Sequence, residues 1–388
     1  MTQTAYIGAR LAIDGKLKVG LGLVVSGCRI ETIARVSDLP SSATIQELDG
    51  GILAPGFIDT QVNGGGGVLF NDAPNVETIR TIGSAHRRYG TTGFLPTLIS
   101  DDAKTVISAM QAVDDAIEAG VPGVLGIHLE GPFLSPAKGG IHDANSIIAP
   151  DDDLLRAMAR PGRGITMVTL APEVVGSAAI GRLAEAGVIV SAGHTNATYE
   201  QTVAGLSAGV RGFTHLFIVM SPLTSRAPGA VGAALNSPHA WCGIIVDGFH
   251  VHPAVLQIAM RTRPIDRVML VTDAMPPVGT EATSFLLQGR PIHVEDGRLT
   301  DASGTLAGSS LNMAAAVRNC VALLEVDIAD ALAMASASPA AFLRSEQARG
   351  RLAVGQAADL VWLDDALRVR STWIAGVECE HPPVKQGG

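Results

Sequence analysis

The chain has 388 residues, with 47% hydrophobic and 17% charged side chains. That supplies a large core, excludes wholesale disorder, and suits either one large α/β barrel or two to three smaller domains. The net charge of −9 argues against a general affinity for nucleic acid, although a local Arg or His can still bind a phosphorylated small molecule.

The first residues, MTQTAYIGARLAIDGK, lack a basic stretch followed by an apolar one, so no signal peptide is expected. No apolar run reaches the length of a membrane span. Cys28, Cys242, Cys320 and Cys379 lie far apart and form no CxxC pair. This suits a reducing cytoplasm and argues against a zinc knuckle or a disulfide framework.

Residues 1–52 read as short strands at Ala5–Gly8, Leu11–Ile13, Leu21–Val25 and Cys28–Ala34. Asp14-Gly15 and Ser26-Gly27 supply hairpin-type turns. So much strand cannot bury both its faces alone, and a partner is expected. From Gly51 the pattern becomes apolar runs alternating with helix-like segments. The runs are Ile52–Ile58, Gly93–Leu98, Val124–Leu129, Ile165–Leu170, Val188–Ser191, Gly212–Leu216, Trp241–Val246 and Arg267–Thr272. Helices fit Asn75–Tyr89, Asp101–Ala119 and Ala179–Ala186, each followed by a Gly suited to ending it. Eight near-continuous apolar strands alternating with helices predict a parallel sheet closed into a (β/α)8 barrel over 53–350. Asn63-Gly64-Gly65-Gly66-Gly67 matches neither GxGxxG nor GxxxxGK[ST], so it reads as a flexible loop. A polar hairpin insertion is expected over Phe285–Leu306, then helices near Leu311–Leu324 and Ile328–Ala337. The tail, 351–388, returns to strands at Leu360–Leu363 and Trp373–Glu378. It is expected to pair with 1–52 in one small β-sandwich domain built from both chain ends.

Barrel enzymes place their chemistry at the C-terminal strand ends. Here those ends carry Asp59 and Asn63, His128 and Glu130, Glu173, His194, His215, Asp247 and His250, and Asp273. Four of the ten histidines sit there, which a surface scatter would not produce. Glu130, His194 and His215 supply one carboxylate and two imidazoles, a ligand set for a zinc-like ion with an open position. Such an ion lowers the pKa of bound water from about 15.7 towards 7. Asp273 is then placed to take the water proton and pass it to a leaving amine. His142, in the loop Lys138-Gly139-Gly140-Ile141-His142, is a candidate for binding a substrate carbonyl. His250 is a candidate for substrate binding, and Arg226 for holding an anion. His128 shares the face of Glu130 and reads as a support for the ligands. His86, His239, His252, His293 and His381 read as structural or surface groups.

Six blocks together resemble the N-acetylglucosamine-6-phosphate deacetylase family of the amidohydrolase superfamily. They are HLEGPFLSPAKGGIH (128–142), SAGHTNATY (191–199), THLFIVMSPLTSRAPG (214–229), DGFHVHP (247–253), LVTDAMPPVG (270–279) and GTLAGSSLNM (304–313). APGFIDTQVNG (54–64) and RGRLAVGQAADLVWLD (349–364) resemble the superfamily's barrel start and C-terminal return. The resemblance implies cleavage of the acetamide of N-acetyl-D-glucosamine 6-phosphate to D-glucosamine 6-phosphate and acetate, in amino-sugar catabolism. It implies Glu130, His194 and His215 as metal ligands, Asp273 as general acid and base, and His142 polarising the acetyl carbonyl. Ile141, His142, Ile218, Val219, Arg226, His250 and Leu306-Ala307-Gly308 would line the sugar-phosphate site. It also implies a homodimer in which Arg226 can reach the neighbouring subunit's site, and the cysteine pattern adds a cytoplasmic location. Many amidohydrolases carry His-x-His after strand one; this chain has Gln61-x-Asn63, two poor zinc ligands, so one ion per subunit is expected. Zinc, iron, cobalt, nickel and manganese all suit the ligands. Where the family reads H-L-[FY]-N-A-M, this chain has His215-Leu216-Phe217-Ile218-Val219-Met220. Ile218 has no hydrogen-bonding side chain, and only its backbone N–H is left to meet a phosphate. The alternatives are a deacetylase of another or an unphosphorylated N-acetyl amino sugar, and a non-catalytic sugar-phosphate binding protein.

Overall fold

The computed structural model describes residues 3–379; His381 lies outside them. Eight parallel strands form the central sheet. They are β1 (Phe57–Val62), β2 (Thr91–Ile99), β3 (Gly126–Glu130), β4 (Ile165–Leu170), β5 (Ile189–Ala192), β6 (Val210–Phe213), β7 (Trp241–Ile244) and β8 (Val268–Leu270). Each pairs with its sequence neighbour, as the alternation of strand and helix predicts. The ring between β8 and β1 is drawn together at its C-terminal rim: the Asp273 N–H donates to the Gln61 carbonyl (3.0 Å), and the Asn63 N–H to the Ala274 carbonyl (2.9 Å). The residues that follow β1 and β8 are thereby held side by side.

The helices form where amphipathic runs meet good caps. Val76–Arg87 starts with Asn75, whose side chain accepts from the Thr78 N–H, and Ala103–Glu118 starts with Asp102, which accepts from the Thr105 N–H. Their buried faces pack on the outside of the barrel. The N-terminal end of the barrel is filled by Ile58, Leu95, Met167, Ile189 and Met269 packed with Phe342. This apolar layer closes the N-terminal end of the barrel and leaves the C-terminal mouth lined by polar residues. Among the described residues no helix is long and apolar enough to cross a membrane.

The chain ends make a separate two-sheet unit. A four-stranded sheet contains Gln3–Ile7, Leu21–Ser26, Arg29–Arg35 and Thr44–Glu47. A six-stranded sheet joins Arg10–Ile13, Lys16–Lys18 and Ile52–Pro55 to Leu360–Leu363, Val369–Ile374 and Val377–Glu378. Tyr6, Leu11, Leu23, Leu53, Leu360 and Trp373 form the core between them. The run Ile52–Ile58 therefore divides: its first half pairs with the tail, Leu363 opposite Ile52, and the barrel begins only at Phe57. Gly56 is the pivot. A Cβ there would sit 2.2 Å from the Thr92 side chain, so the chain crosses between units only at a glycine. The tail run Trp373–Glu378 divides likewise, at the turn Ala375-Gly376.

The expected insertion is a three-stranded antiparallel hairpin, Ser284–Leu287, Arg290–Glu295 and Arg298–Thr300. Leu287, Ile292 and Leu299 pack against Leu69, Ile99, Ile141, Met275 and Ala307, so the hairpin leans on the mouth of the barrel.

Candidate active site

Successive side chains of a strand face opposite sides, which turns both His128 and Glu130 into the barrel. Glu130 ends β3 and is 2% exposed. His194 and His215 follow β5 and β6, and their rings reach it: His215 Nε2 lies 2.8 Å and His194 Nε2 3.3 Å from Glu130 Oε1. The candidate ligand atoms of the three residues all lie within 4.8 Å of one another. His194 Nδ1 lies 3.0 Å from the Lys138 carbonyl, which can only accept. The proton therefore sits on Nδ1, and Nε2 presents a lone pair to the cluster. Three buried donors converging on one point fit a divalent ion. Burial opposes charge on Glu130, yet His194 and His215 hold its carboxyl well below the usual range. Burial likewise opposes charge on His215, and Glu130 outweighs it and raises the imidazole.

Asp273 follows β8 beside this cluster. Burial, then the charge of Glu130, raises its carboxyl above the usual range, while a hydrogen bond from Asn63 opposes the shift. Gln61 and Asn63 have a role that their residue type alone does not reveal. Gln61 Nε2 lies 3.1 Å from both oxygens of Glu130 and 3.1 Å from Asp273 Oδ1, and Asn63 Nδ2 lies 2.6 Å from the same Asp273 oxygen. Gln61 bridges the two carboxylates as a donor, and Asn63 donates to Asp273 alone. Asp59 lies beneath, accepting from the Thr272 hydroxyl at 2.5 Å, and burial pushes its carboxyl up to about 7.

His142 comes to the mouth on its glycine-rich loop, its ring centroid 4.5 Å from that of His194. The Ser100 N–H lies 3.3 Å from His142 Nδ1 and the Ser100 hydroxyl 2.9 Å. A backbone N–H can only donate, so Nδ1 accepts and the ring proton is on Nε2. Burial, then the charge of His194, pushes the imidazole down to about 3, so it is a neutral Nε2–H donor at pH 7. Ser100 has no sequence signal beyond its place after β2, the strand that ends without an ionisable group.

His128 lies one layer below. Its Nε2 is 2.7 Å from the Thr169 hydroxyl and its Nδ1 3.1 Å from the Thr97 hydroxyl, and Thr169, Thr214 and Ser191 continue the chain at 2.7 Å steps. Burial lowers its pKa to about 4. It is neutral and fully engaged, a support for the ligand strands. These hydroxyls look like ordinary strand residues in the sequence.

The remaining expected residues ring the mouth. His250 Nδ1 lies 2.6 Å from Asp247, which also accepts the Phe249 and His250 N–H groups, so Asp247 sets the ring's orientation. Burial opposes charge on Asp247, but its bond to His250 holds the carboxyl low. Leu306, Ala307 and Gly308 lie against the Asp273 segment: a Cβ on Gly308 would meet the Asp273 carbonyl at 2.8 Å, and the Ser309 N–H donates to that carbonyl at 2.9 Å. Ile141 is buried, and Val219 packs beside Gly140 and His194. The Ile218 N–H donates to the His215 carbonyl at 3.0 Å. This corrects the expectation that it is free for a phosphate: the turn after β6 folds back on itself and uses that donor. Arg226 stands on an exposed loop with no hydrogen bond or ion pair among the described residues. His86 is buried with Nε2 2.9 Å from the Gly64 carbonyl, and His239, His252 and His293 are exposed.

Strain concentrates here. His194 (φ 46°), His215 (32°), Phe217 (79°), Val219 (47°) and Asp273 (52°) all adopt left-handed backbone, which costs most for a β-branched residue such as Val219.

The model of the Amidohydrolase family matches residues 52–379. An N-acetylgalactosamine-6-phosphate deacetylase from Shewanella sp. (strain ANA-3) is 46% identical over 329 residues, covering 85% of this chain and 83% of that protein. An N-acetylglucosamine-6-phosphate deacetylase from Haemophilus influenzae is 34% identical over 357 residues, covering 91% and 93%. The crystal structure of N-acetylglucosamine-6-phosphate deacetylase from Pasteurella multocida superposes with a TM-score of 0.95 at 33% identity, over 98% of this chain and 100% of that one.

Proposed function

Because this chain belongs to the amidohydrolase family, we propose that it hydrolyses the acetamide of N-acetyl-D-glucosamine 6-phosphate, giving D-glucosamine 6-phosphate and acetate. One observation carries the reading: the buried Glu130, His194 and His215 converge beside Asp273, with the neutral His142 ring across the mouth. Glu130, His194 and His215 would hold one divalent ion per subunit, zinc before iron, cobalt, nickel or manganese. A bound ion supplies Lewis acidity and makes a water nucleophilic at neutral pH. Asp273 would take a proton from the attacking water and return it to the amide nitrogen as the C–N bond breaks. Burial and the charge of Glu130 raise this carboxyl, which makes it a stronger proton acceptor than an ordinary aspartate. His142 Nε2–H donates to the acetyl oxygen as negative charge develops on it, and its neutrality leaves the proton fixed there. Gln61 and Asn63 hold both carboxylates in place. His250, Ile141, Val219 and Leu306-Ala307-Gly308 line the sugar, and Arg226 meets the phosphate, reaching the neighbouring subunit's site in a cytoplasmic homodimer. A small domain of both chain ends around a central barrel belongs to the same proposal, supported by the shared sheet of the two ends; the first boundary, expected at 52/53, moves to Gly56 because Leu53–Pro55 pair with the tail.

A second reading has its own support. The Shewanella relative, named for N-acetylgalactosamine 6-phosphate, is 46% identical, against 34% for the Haemophilus relative named for the glucosamine epimer. Ile218 offers no donor by side chain or by backbone, which removes one phosphate contact. Acetate release from N-acetylglucosamine 6-phosphate, N-acetylgalactosamine 6-phosphate and the two free sugars, on metal-reconstituted protein of measured metal content, tests both. Preference for the galactosamine epimer would replace the substrate, preference for a free sugar would remove the phosphate, and no release from any would leave the binding-protein alternative.

A further inference from the structure

We propose that Gln288, at the tip of the hairpin insertion, is a positioning residue that holds the His142 loop in its working place. This rests on the reading of His142 as the donor to the acetyl oxygen. Leu287 and Arg290 pair across a two-residue turn made of Gln288 (φ 48°) and Gly289 (φ 79°). A turn with two positive φ values favours Asn, Asp or Gly at its first position. Gln has a Cβ, and its longer side chain lacks the local hydrogen bonding that lets Asn and Asp adopt this backbone. The turn itself thus gains nothing from a glutamine.

The side chain makes two contacts elsewhere. Gln288 Nε2 donates to the Ser100 carbonyl at 3.0 Å, and Gln288 Oε1 accepts the Asp143 N–H at 3.2 Å. Two residues further, the Arg290 guanidinium donates to the Ile141 carbonyl. The turn therefore holds the backbone on both sides of His142. It also holds Ser100, whose N–H and hydroxyl meet His142 Nδ1 and fix its tautomer. The hairpin is seated against the same loop by Leu287, Ile292 and Leu299, with Ile141 among their neighbours. Every path from the hairpin tip ends within one residue of His142 or on the residue that orients its ring. A carboxamide does what a carboxylate could not: it donates to a carbonyl and accepts from an N–H at once.

Gln288→Gly separates the two roles, because glycine suits the turn better and removes only the carboxamide. The expected result is a melting temperature equal to or above wild type, with kcat lower by about tenfold to a hundredfold and KM moved far less. Gln288→Asn is the second variant: it accepts the same backbone but is one methylene too short, and it should lower kcat in the same way. In a His142→Ala background Gln288→Gly should have no further effect. Wild-type kcat in both Gln288 variants, beside a His142→Ala variant of strongly reduced but measurable activity, would overturn the brace alone. An equal loss from Gln288→Gly with and without His142 would overturn it too, since the hairpin would then act elsewhere. Full activity in His142→Ala would overturn the reading of His142 itself.

Discussion

Asn63 offers a direct test of how the proposed base, Asp273, is tuned. Its Nδ2 lies 2.6 Å from Asp273 Oδ1, inside a site where burial and the charge of Glu130 both push the Asp273 carboxyl up. A hydrogen bond to the ionised form holds that form, so its loss moves the carboxyl further up. Asn63→Ala removes this bond and no other side-chain hydrogen bond, because Asn63 Oδ1 is buried without a partner. A hydrogen bond to a charged group is worth about 1.5–3 kcal/mol, roughly a factor of ten to a hundred in the ionisation equilibrium. Gln61 Nε2, 3.1 Å from the same oxygen, remains and favours the lower figure. The base acts only when ionised, so the loss appears on the acid side of the profile. There kcat/KM should fall about tenfold relative to wild type, while the plateau at higher pH stays within a few-fold. The assay is acetate release against pH at saturating metal, with metal content measured at each pH. An acid limb that does not move, or a plateau that falls as much as the limb, would refute the idea that Asn63 tunes Asp273.

Gln61→Leu removes the donor to both Glu130 oxygens and should weaken metal binding by about 10–100-fold, read by titration with a competing chelator; an unchanged affinity would count against the amide as a support of the ligand. Asp273→Asn should abolish acetate release while leaving metal content and melting temperature close to wild type, and retained turnover would exclude it as the base. His86 is buried and pushed down to about 4, against an ordinary value of 6.5. The unfolded chain takes up the proton first as pH falls, so the stability contributed by the neutral ring is full above pH 6.5 and is lost between 6.5 and about 4, by roughly 3 kcal/mol at most. The stability difference between wild type and His86→Gln in denaturant melts should shrink over that window, and a constant difference would reject this. Trp373, 1% exposed between the two end sheets, should cost about 3–5 kcal/mol on replacement by Ala, measured as a shift in the unfolding midpoint.

Much of the fold was legible because burial leaves a period in the chain. The eight apolar runs, the capped helices between them and the return to strands at the tail each follow from local side-chain pattern and turn chemistry. Glu130, His194, His215 and Asp273 were legible for a related reason: ionisable residues that follow buried strands are costly unless they have work to do, and the barrel geometry brings strand ends to one rim. Residue type and position were enough to single out these four, which folding brings together at one rim.

What local pattern could not carry was direction and partnership. The run Ile52–Ile58 reads as one strand because its hydrophobicity is unbroken, and only the close approach of Thr92 to Gly56 divides it between two units. Ser100, Thr97, Thr169 and Gln288 are unremarkable polar residues until folding sets them against a ring nitrogen or a loop carbonyl. Gln61 and Asn63 read as ligands lost; the fold makes them donors, Gln61 bridging the buried carboxylates of residues 130 and 273 and Asn63 meeting the second. Ile218 kept a backbone N–H in the sequence reading, and the turn after β6 took it for the His215 carbonyl. The residues able to ligate, to take a proton and to pack were set by the sequence itself, through charge, nitrogen and apolar surface. Which tautomer each ring holds, and which donors remain free for a sugar phosphate, was decided only when distant segments came within about 3 Å, because a hydrogen bond is a property of two groups and not of one.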